Sequence, residues 1–335
     1  MIISKSKIEF FNSYFNFLEE NDIQSVILHT YADYPEKIHS DVDYCVGEAD
    51  LGKIIPLINQ HCYDSGWRLV QILQHEVKAF FCICVSQSNP SEYVELDVCS
   101  DYMREGKILL RAEWLLQNRR ALEGKAFYVP AVGREFCYTL WKSVAKKKSK
   151  EEMLGKLDVI YEINPEECEM SLIQSNMVVS EVMEAWCGAR AEEVYAQQEQ
   201  QYADASKVGV VSRFVKLLRR VVQPSGLLIL VDGSEDDLES HLGSHFYSSI
   251  KPCFRKVGMT IEKVHLINTS VKLLKSSLVL CNASKLIPKT LYLPAKMFSS
   301  AYKLKLEHND NMIGEVHAYL ERRLQKRWGL KANDK

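Results

Sequence analysis

Three aspartates offer the clearest chemistry in this sequence. In "HSDVDYCV" (39–46), Asp41 and Asp43 stand one residue apart inside a short apolar run. Successive side chains of a strand point to opposite faces. Asp41, Asp43 and Cys45 therefore share one face, and Val42, Tyr44 and Val46 the other. Two carboxylates side by side repel, and they need a cation, a shared proton or open solvent between them. A third, Asp97, lies in "YVELDVC" (93–99), a second strand-like run with Glu95 on the same face. If the two strands meet on one side of a sheet, Asp41, Asp43 and Asp97 converge. Three hard oxygen ligands suit Mg²⁺, which takes few protein ligands and fills its shell with water and phosphate oxygens. Such a site serves in-line phosphoryl displacement. The plain alternative is a solvated edge strand with two unpaired aspartates. The apolar residues Val26, Ile27 and Leu28 upstream, and Val42, Tyr44 and Val46 within the strand, favour a half-buried central position.

The elements that must position these acids are legible around them. "SKIEFFNSYFNFLEEND" puts Ile8, Phe11, Phe15 and Leu18 on one helical stripe, ended by Asn21 and Asp22. "QSVILHT" (24–30) reads as a buried strand and "DVDYCV" as its neighbour. "DLGKIIPLINQHCY" reads as a helix with Asp50 at its N-cap and Leu51, Ile54, Ile55 and Ile58 inward. Strand-like runs "GWRLVQIL", "VKAFFCICV" and "EYVELDVC" follow, the last two separated by the turn "SQSNPSE". This order predicts an α/β or α+β fold with a mixed sheet, forming a first domain over 1–135.

Residues 136–205 read as a helical segment, and 206–335 as a second, smaller α/β domain. At 207–222, "KVGVVSRFVKLLRRVV" is a basic amphipathic helix with Val211, Phe214, Val215, Leu218, Val221 and Val222 as its apolar stripe. Packing of that stripe is the expectation. A weak contact with a membrane surface is the alternative. "LLILV" (227–231), "VHLIN", "SSLVLCN" and "KTLYL" read as strands, and "DNMIGEVHAYLERRLQKRW" as a closing helix with Ile313, Val316, Leu320 and Leu324 inward.

The bulk numbers narrow the function class. The 335 residues are 47% hydrophobic and 26% charged, enough for a sizeable core. A net charge of −2 argues against a general nucleic-acid coat, and no nucleic-acid partner is expected. The ten cysteines contain no CxxC pair and sit mostly in apolar runs, so buried reduced thiols are expected rather than a zinc site. The N-terminus has no long apolar core, and no apolar run approaches membrane-spanning length, so a cytoplasmic location is expected.

"VILHTYADYPEKIHSDVDYCV" followed by "VELDVCS" resembles the nucleotidyltransferase superfamily with a DNA polymerase β-like core. That family places a strand, a Gly-Ser turn, a D-x-D or D-x-E strand and a third acid in this order. More narrowly, "Y..YP....SDVDYCV" is similar to a bacterial group associated with surface-polysaccharide genes. The resemblance covers about residues 20–165. It implies Asp41, Asp43 and Asp97 as metal-binding and catalytic acids, with Asp97 also assisting the attacking hydroxyl. It implies a nucleotide site at His29, Thr30 and Ser40, to which Lys142 is added from its helical position, with Mg²⁺, a nucleoside triphosphate and a small acceptor, a sugar or sugar phosphate. One departure stands out: His29-Thr30 replaces Gly-Ser, the turn that brings backbone amides close to the triphosphate. Lys142 and Lys146, four apart on a predicted helix, share a face. They reach phosphates or form a solvated lysine run.

"PSGLLILVDGSEDDL" resembles the opening of a thymidylate-kinase-like P-loop domain. Glu235, Asp236 and Asp237 stand where that loop carries Gly, Lys and Ser/Thr. Carboxylates there repel a triphosphate, whereas a lysine would neutralise it. A degenerate, non-catalytic kinase-like domain is therefore expected, against an unrelated α/β domain with an acidic turn. Two functions remain open. One is Mg²⁺-dependent transfer of a nucleoside monophosphate. The other is a non-catalytic binding or scaffold protein in which both nucleotide sites have decayed.

Overall fold

The computed structural model describes residues 5–38, 40–104, 106–145, 150–175, 211, 214–215, 227–231, 256–259, 277–282, 303–306 and 312–330. The chain divides into two units. One comprises Met1–Ile54, Glu76–Phe80 and Asp97–Gly209; the other comprises Ile55–His75, Phe81–Leu96 and Val210–Lys335. Helices accompany both antiparallel and parallel strand pairs, an α/β fold in the coarse sense.

The chain opens with α1 (Lys5–Glu20), whose apolar spacing puts Phe11, Tyr14, Phe15 and Leu18 on a buried face. Asp22 adopts φ +58° and ends it. Strands β1 (Ser25–Ile27), β2 (Val42–Val46), β3 (Trp67–Glu76), β4 (Ala79–Ser86) and β5 (Tyr93–Cys99) form a five-stranded sheet ordered β1-β2-β5-β4-β3. β1 and β2 pair antiparallel, with Ile27 opposite Tyr44. This order puts β5 beside β2, which is what convergence of the aspartates requires. β2 is interior and nearly all buried, and β5 alternates between buried and half-buried residues, so the edge-strand alternative does not hold. Helix α2 (Leu51–Asp64) joins β2 to β3 and buries Leu51, Ile54, Ile55 and Ile58 as its periodicity predicts.

In the first unit, α1 packs on the sheet through aromatic side chains. Phe15 meets Tyr44 edge-on at 5.6 Å between centroids, and Tyr14 Oη lies 2.6 Å from Tyr44 Oη. The hydroxyl pair gives two buried polar tips a partner, one donating and the other accepting. Arg119 holds Glu19 at the end of α1 by two hydrogen bonds of 2.5 and 2.7 Å.

After β5 come short pieces that periodicity does not announce. They are the hairpin β6 (Tyr102–Arg104) and β7 (Lys107–Leu110), helix α3 (Ala112–Leu116), and the pair β8 (Arg120–Ala121) and β9 (Tyr128–Val129). Asp101 is fully buried and anchors this stretch. It accepts hydrogen bonds from Lys78 Nζ (2.8 Å), Arg111 Nη1 (3.2 Å) and the Ala112 amide (3.0 Å).

Helices α4 (Val132–Ala145), α5 (Lys150–Tyr161) and α6 (Pro165–Gln174) cover the first part of the expected helical segment, and its residues 176–205 lie outside the described residues. Phe136, Leu140, Leu157, Cys168 and Leu172 bury a common core with Val26, Leu28 and Cys45 of the sheet. Asn164 caps α6, its side chain accepting from the Glu167 amide at 3.1 Å, with Pro165 in the first turn.

In the second unit, β10 (Leu227–Val231), β11 (Lys256–Met259), β12 (Ser277–Asn282) and β13 (Lys303–Leu306) form a parallel sheet ordered β11-β12-β10-β13. The closing helix α7 (Met312–Trp328) buries Val316, Leu320 and Leu324, while Ile313 is half-buried. Glu321 of α7 pairs with Arg68 Nε of β3 at 3.2 Å.

The acidic turn after β10, the strands expected at "VHLIN" and "KTLYL", and Lys146 lie outside the described residues. In the basic helix, Val211, Phe214 and Val215 are exposed, whereas the stripe pattern predicts burial; its remaining residues lie outside the described set. A sequence stripe shows that a helix can bury one face, and an available surface decides whether it does. No described helix is long and apolar enough to cross a membrane. Cys45, Cys62, Cys82, Cys84, Cys137 and Cys168 are free and buried, and Cys99 is free and half-buried, as their apolar settings predict.

Candidate functional site

Asp41, at the entry to β2, Asp43 within it and Asp97 in β5 come together. Each offers a carboxylate oxygen, and these atoms all lie within 4.8 Å of one another. Alternation along β2 and pairing with β5 produce this, as the spacing predicts. Three acids that close repel unless something separates them, and their proton affinities diverge. Burial pushes the Asp97 carboxyl well above the usual carboxylate range, and the neighbouring Asp43 and Asp41 push it further. Burial also opposes ionisation of Asp43. Its contacts with His29 and the Lys142 ammonium outweigh that and hold it well below the usual range. One acid of the cluster thus favours the charged form and another retains its proton. A divalent cation satisfies all three at once, and the donor set fits a hard ion.

Two side chains from elsewhere complete the surroundings of Asp43. His29, just past β1, sets Nε2 against Asp43 Oδ2. Lys142, from α4, sets Nζ against the same imidazole nitrogen and 3.1 Å from Asp43 Oδ2. Thr30 Oγ1 engages the other ring nitrogen, Nδ1, of His29. Nε2 thus faces both the Asp43 carboxylate and the Lys142 ammonium, while Nδ1 faces the Thr30 hydroxyl. The His29 ring stacks on Tyr138 at 6.1 Å between centroids and 14° between planes. Lys142 Nζ stands 5.5 Å from the centre of the same tyrosine ring.

Thr30 takes φ +57°. A β-branched residue rarely adopts this left-handed region, and where one does the surroundings hold it there. The turn after β1 that the resemblance assigns to Gly-Ser is thus sharply bent here also, but with a threonine in the bend.

Beside the acids lies a pocket of about 560 Å³ lined by His29, Thr30, Ser40 and Lys142, together with residues of α4 and α5. All four residues assigned to the nucleotide from sequence therefore share one cavity. The sequence reading missed Glu135, Tyr138, Lys156 and the apolar wall of Val159 and Ile163. Glu135, Tyr138 and Lys142 fall on one face of α4 at helical spacing, which is the signal that could have found them. Glu135 is itself held, accepting from Tyr31 Oη at 2.6 Å and from Arg120 Nη2 at 2.5 Å. Burial nevertheless pushes its carboxyl up. Lys142 is drawn in and paired, with a side chain 15% exposed, so the solvated-lysine alternative fails. Glu95, expected on the face of Asp97, is not a member of the acid cluster.

Comparisons with protein-family models, with curated proteins and with solved structures find no match for this chain.

Proposed function

We propose that this protein is a Mg²⁺-dependent nucleotidyltransferase that moves a nucleoside monophosphate from a triphosphate to a small acceptor. The observation that supports it best is the approach of Asp41, Asp43 and Asp97 to within 4.8 Å, beside a pocket with cationic lining. Asp41, Asp43 and Asp97 would hold the metal. Bound Mg²⁺ would neutralise phosphate charge and align the reacting oxygens. Lys142 and Lys156 supply positive charge for the phosphates, and the hydroxyls of Thr30 and Ser40 supply donors. With the metal bound and its own proton lost, Asp97 would also assist the attacking hydroxyl, a role that rests on the resemblance. A sugar or sugar phosphate of surface-glycan synthesis is the acceptor class, resting on resemblance alone.

The second reading is a non-catalytic binding or scaffold protein. The contact of His29 and Lys142 with Asp43 favours it, because Asp43 then has cationic company without a metal. Isothermal titration with Mg²⁺ and Mn²⁺, followed by pyrophosphate-release assays over the four nucleoside triphosphates and a panel of sugar phosphates, separates the two. Metal-dependent release, lost in Asp97→Asn, supports the transferase. Nucleotide binding with no release under any condition supports the scaffold.

A further inference from the structure

The pocket and the acid cluster are adjacent, and two side chains stand between them. The aspartates do not line the pocket, whereas His29 and Lys142 line it and also contact Asp43. We propose that Lys142 is a positioning residue: in the metal-free protein its ammonium occupies a cation seat at Asp43, and divalent-metal binding displaces it into the pocket, where it meets a phosphate-bearing ligand. The proposal rests on the metal-site reading above.

The seat itself is the first argument. The ammonium touches a carboxylate oxygen, Asp43 Oδ2, and an imidazole nitrogen, His29 Nε2. Both are donor atoms that divalent ions also take. The second argument is electrostatic. Asp43 is the carboxylate against which the ammonium rests, and a divalent ion shared by Asp41, Asp43 and Asp97 consumes that negative charge. It also places two positive charges close to a third in a half-buried setting, where repulsion is weakly screened. The third is where the lysine can go. Its four-carbon stem is flexible, and the pocket that it already lines has about 560 Å³ of space. Lys156 of α5 lines the same pocket, along with the hydroxyls of Thr30, Ser40 and Ser143. The one carboxylate among the described residues of the lining, Glu135, is engaged by Tyr31 and Arg120, so an ammonium of Lys142 released from Asp43 beside Lys156 favours an anion, and the occupant class is a phosphate ester or phosphoanhydride.

Lysine acylation reads out the displacement directly. The full-length protein is treated with a neutral acetylating reagent, with and without saturating Mn²⁺, and labelling of Lys142 is quantified by mass spectrometry. A parallel series uses pyridoxal 5′-phosphate with borohydride reduction, a phosphate-bearing probe. Mn²⁺ should raise Lys142 labelling several-fold in both series, more strongly in the second, and should have no effect in Asp97→Asn. Lys142→Met should bind Mn²⁺ about fivefold more tightly than the natural chain, because a competing charge is gone. If Mn²⁺ binds but labelling stays level or falls, the lysine keeps its seat and the proposal is overturned. A rise only with the neutral reagent would overturn the phosphate-ligand half. If neither the natural chain nor Lys142→Met binds Mn²⁺, the metal-site reading fails, and this proposal with it.

Discussion

Asp43 and Asp97 have opposite energetic roles, and single substitutions should expose them. Asp43 is paired with Lys142 and His29, so it supports the fold. Asp97 is half-buried beside two other carboxylates, and its ionised form opposes the fold. Asp43→Asn should therefore destabilise the metal-free protein by about 1–3 kcal/mol, because it leaves a half-buried ammonium short of its partner. Asp97→Asn should stabilise it by about 1 kcal/mol, the usual sign when a strained functional group is neutralised. Both changes, and Asp41→Asn, should abolish the rise in melting temperature that Mg²⁺ or Mn²⁺ gives the natural chain, with the far-ultraviolet circular dichroism unchanged. A destabilised Asp97→Asn protein would contradict this division of roles. Thr30 stores a second local cost. At φ +57° asparagine is better accommodated than a β-branched residue. Thr30→Asn should raise stability by roughly 1 kcal/mol, measured as a shifted urea midpoint with unchanged slope.

Helix α4 carries the far wall of the site, and its seating depends on Gly133. A Cβ there would overlap the Glu167 carbonyl and the Ser171 hydroxyl of α6. The two helices therefore approach backbone to backbone at this point, and only hydrogen fits. Gly133→Ala should cost about 3 kcal/mol, although alanine is the better helix former. Because the same helix presents Glu135, Tyr138 and Lys142, a forced shift of α4 should also weaken metal and nucleotide binding, measured by titration below the new melting temperature. Long periodic elements such as α1, α2 and α7, and the strands β3, β4 and β5, are legible in sequence because each has one face to bury and enough length to repeat the pattern. The pieces between 102 and 129 are not, because strands of two to four residues carry no period and are specified by partners such as Asp101. Strands β11 and β13, of four residues each, escape the sequence reading for the same reason. The site divides likewise. Asp41, Asp43 and Asp97 are legible from strand alternation. The approach of Lys142 to His29 joins positions 113 residues apart, and no local pattern encodes it.

At the scale of the whole molecule, the acid cluster, its pocket and their supporting helices all belong to the first unit. The second unit carries β10 between β12 and β13, and the residues that follow β10 in the chain lie outside the described residues. The sequence there is Asp232-Gly233-Ser234-Glu235-Asp236-Asp237, and its charge opposes a phosphate. Ser234→Ala in the full chain should accordingly leave ATP affinity unchanged in calorimetry, and a loss would show that the loop still binds. The concentration of buried phenols and thiols in the first unit sets its behaviour at high pH. Burial pushes Tyr34 up to about 12, and Cys137 and Cys168 also to about 12. Tyr138 is raised as well, by burial and by Asp43. An unfolded chain releases these protons near pH 9 for thiols and 10 for phenols, whereas the folded chain keeps them. Between those values and pH 12 the folded state binds more protons, so stability falls as pH rises. Tyr34 alone contributes on the order of 2 kcal/mol across its window. The urea midpoint should stay level from pH 7 to 8.5 and then fall steeply, with tyrosinate absorbance rising together with loss of helical signal rather than before it. Tyr34→Phe should lessen the alkaline slope at some cost in neutral stability. Tyrosinate absorbance that appears in full while the helical signal persists would show that these phenols reach solvent in the folded protein.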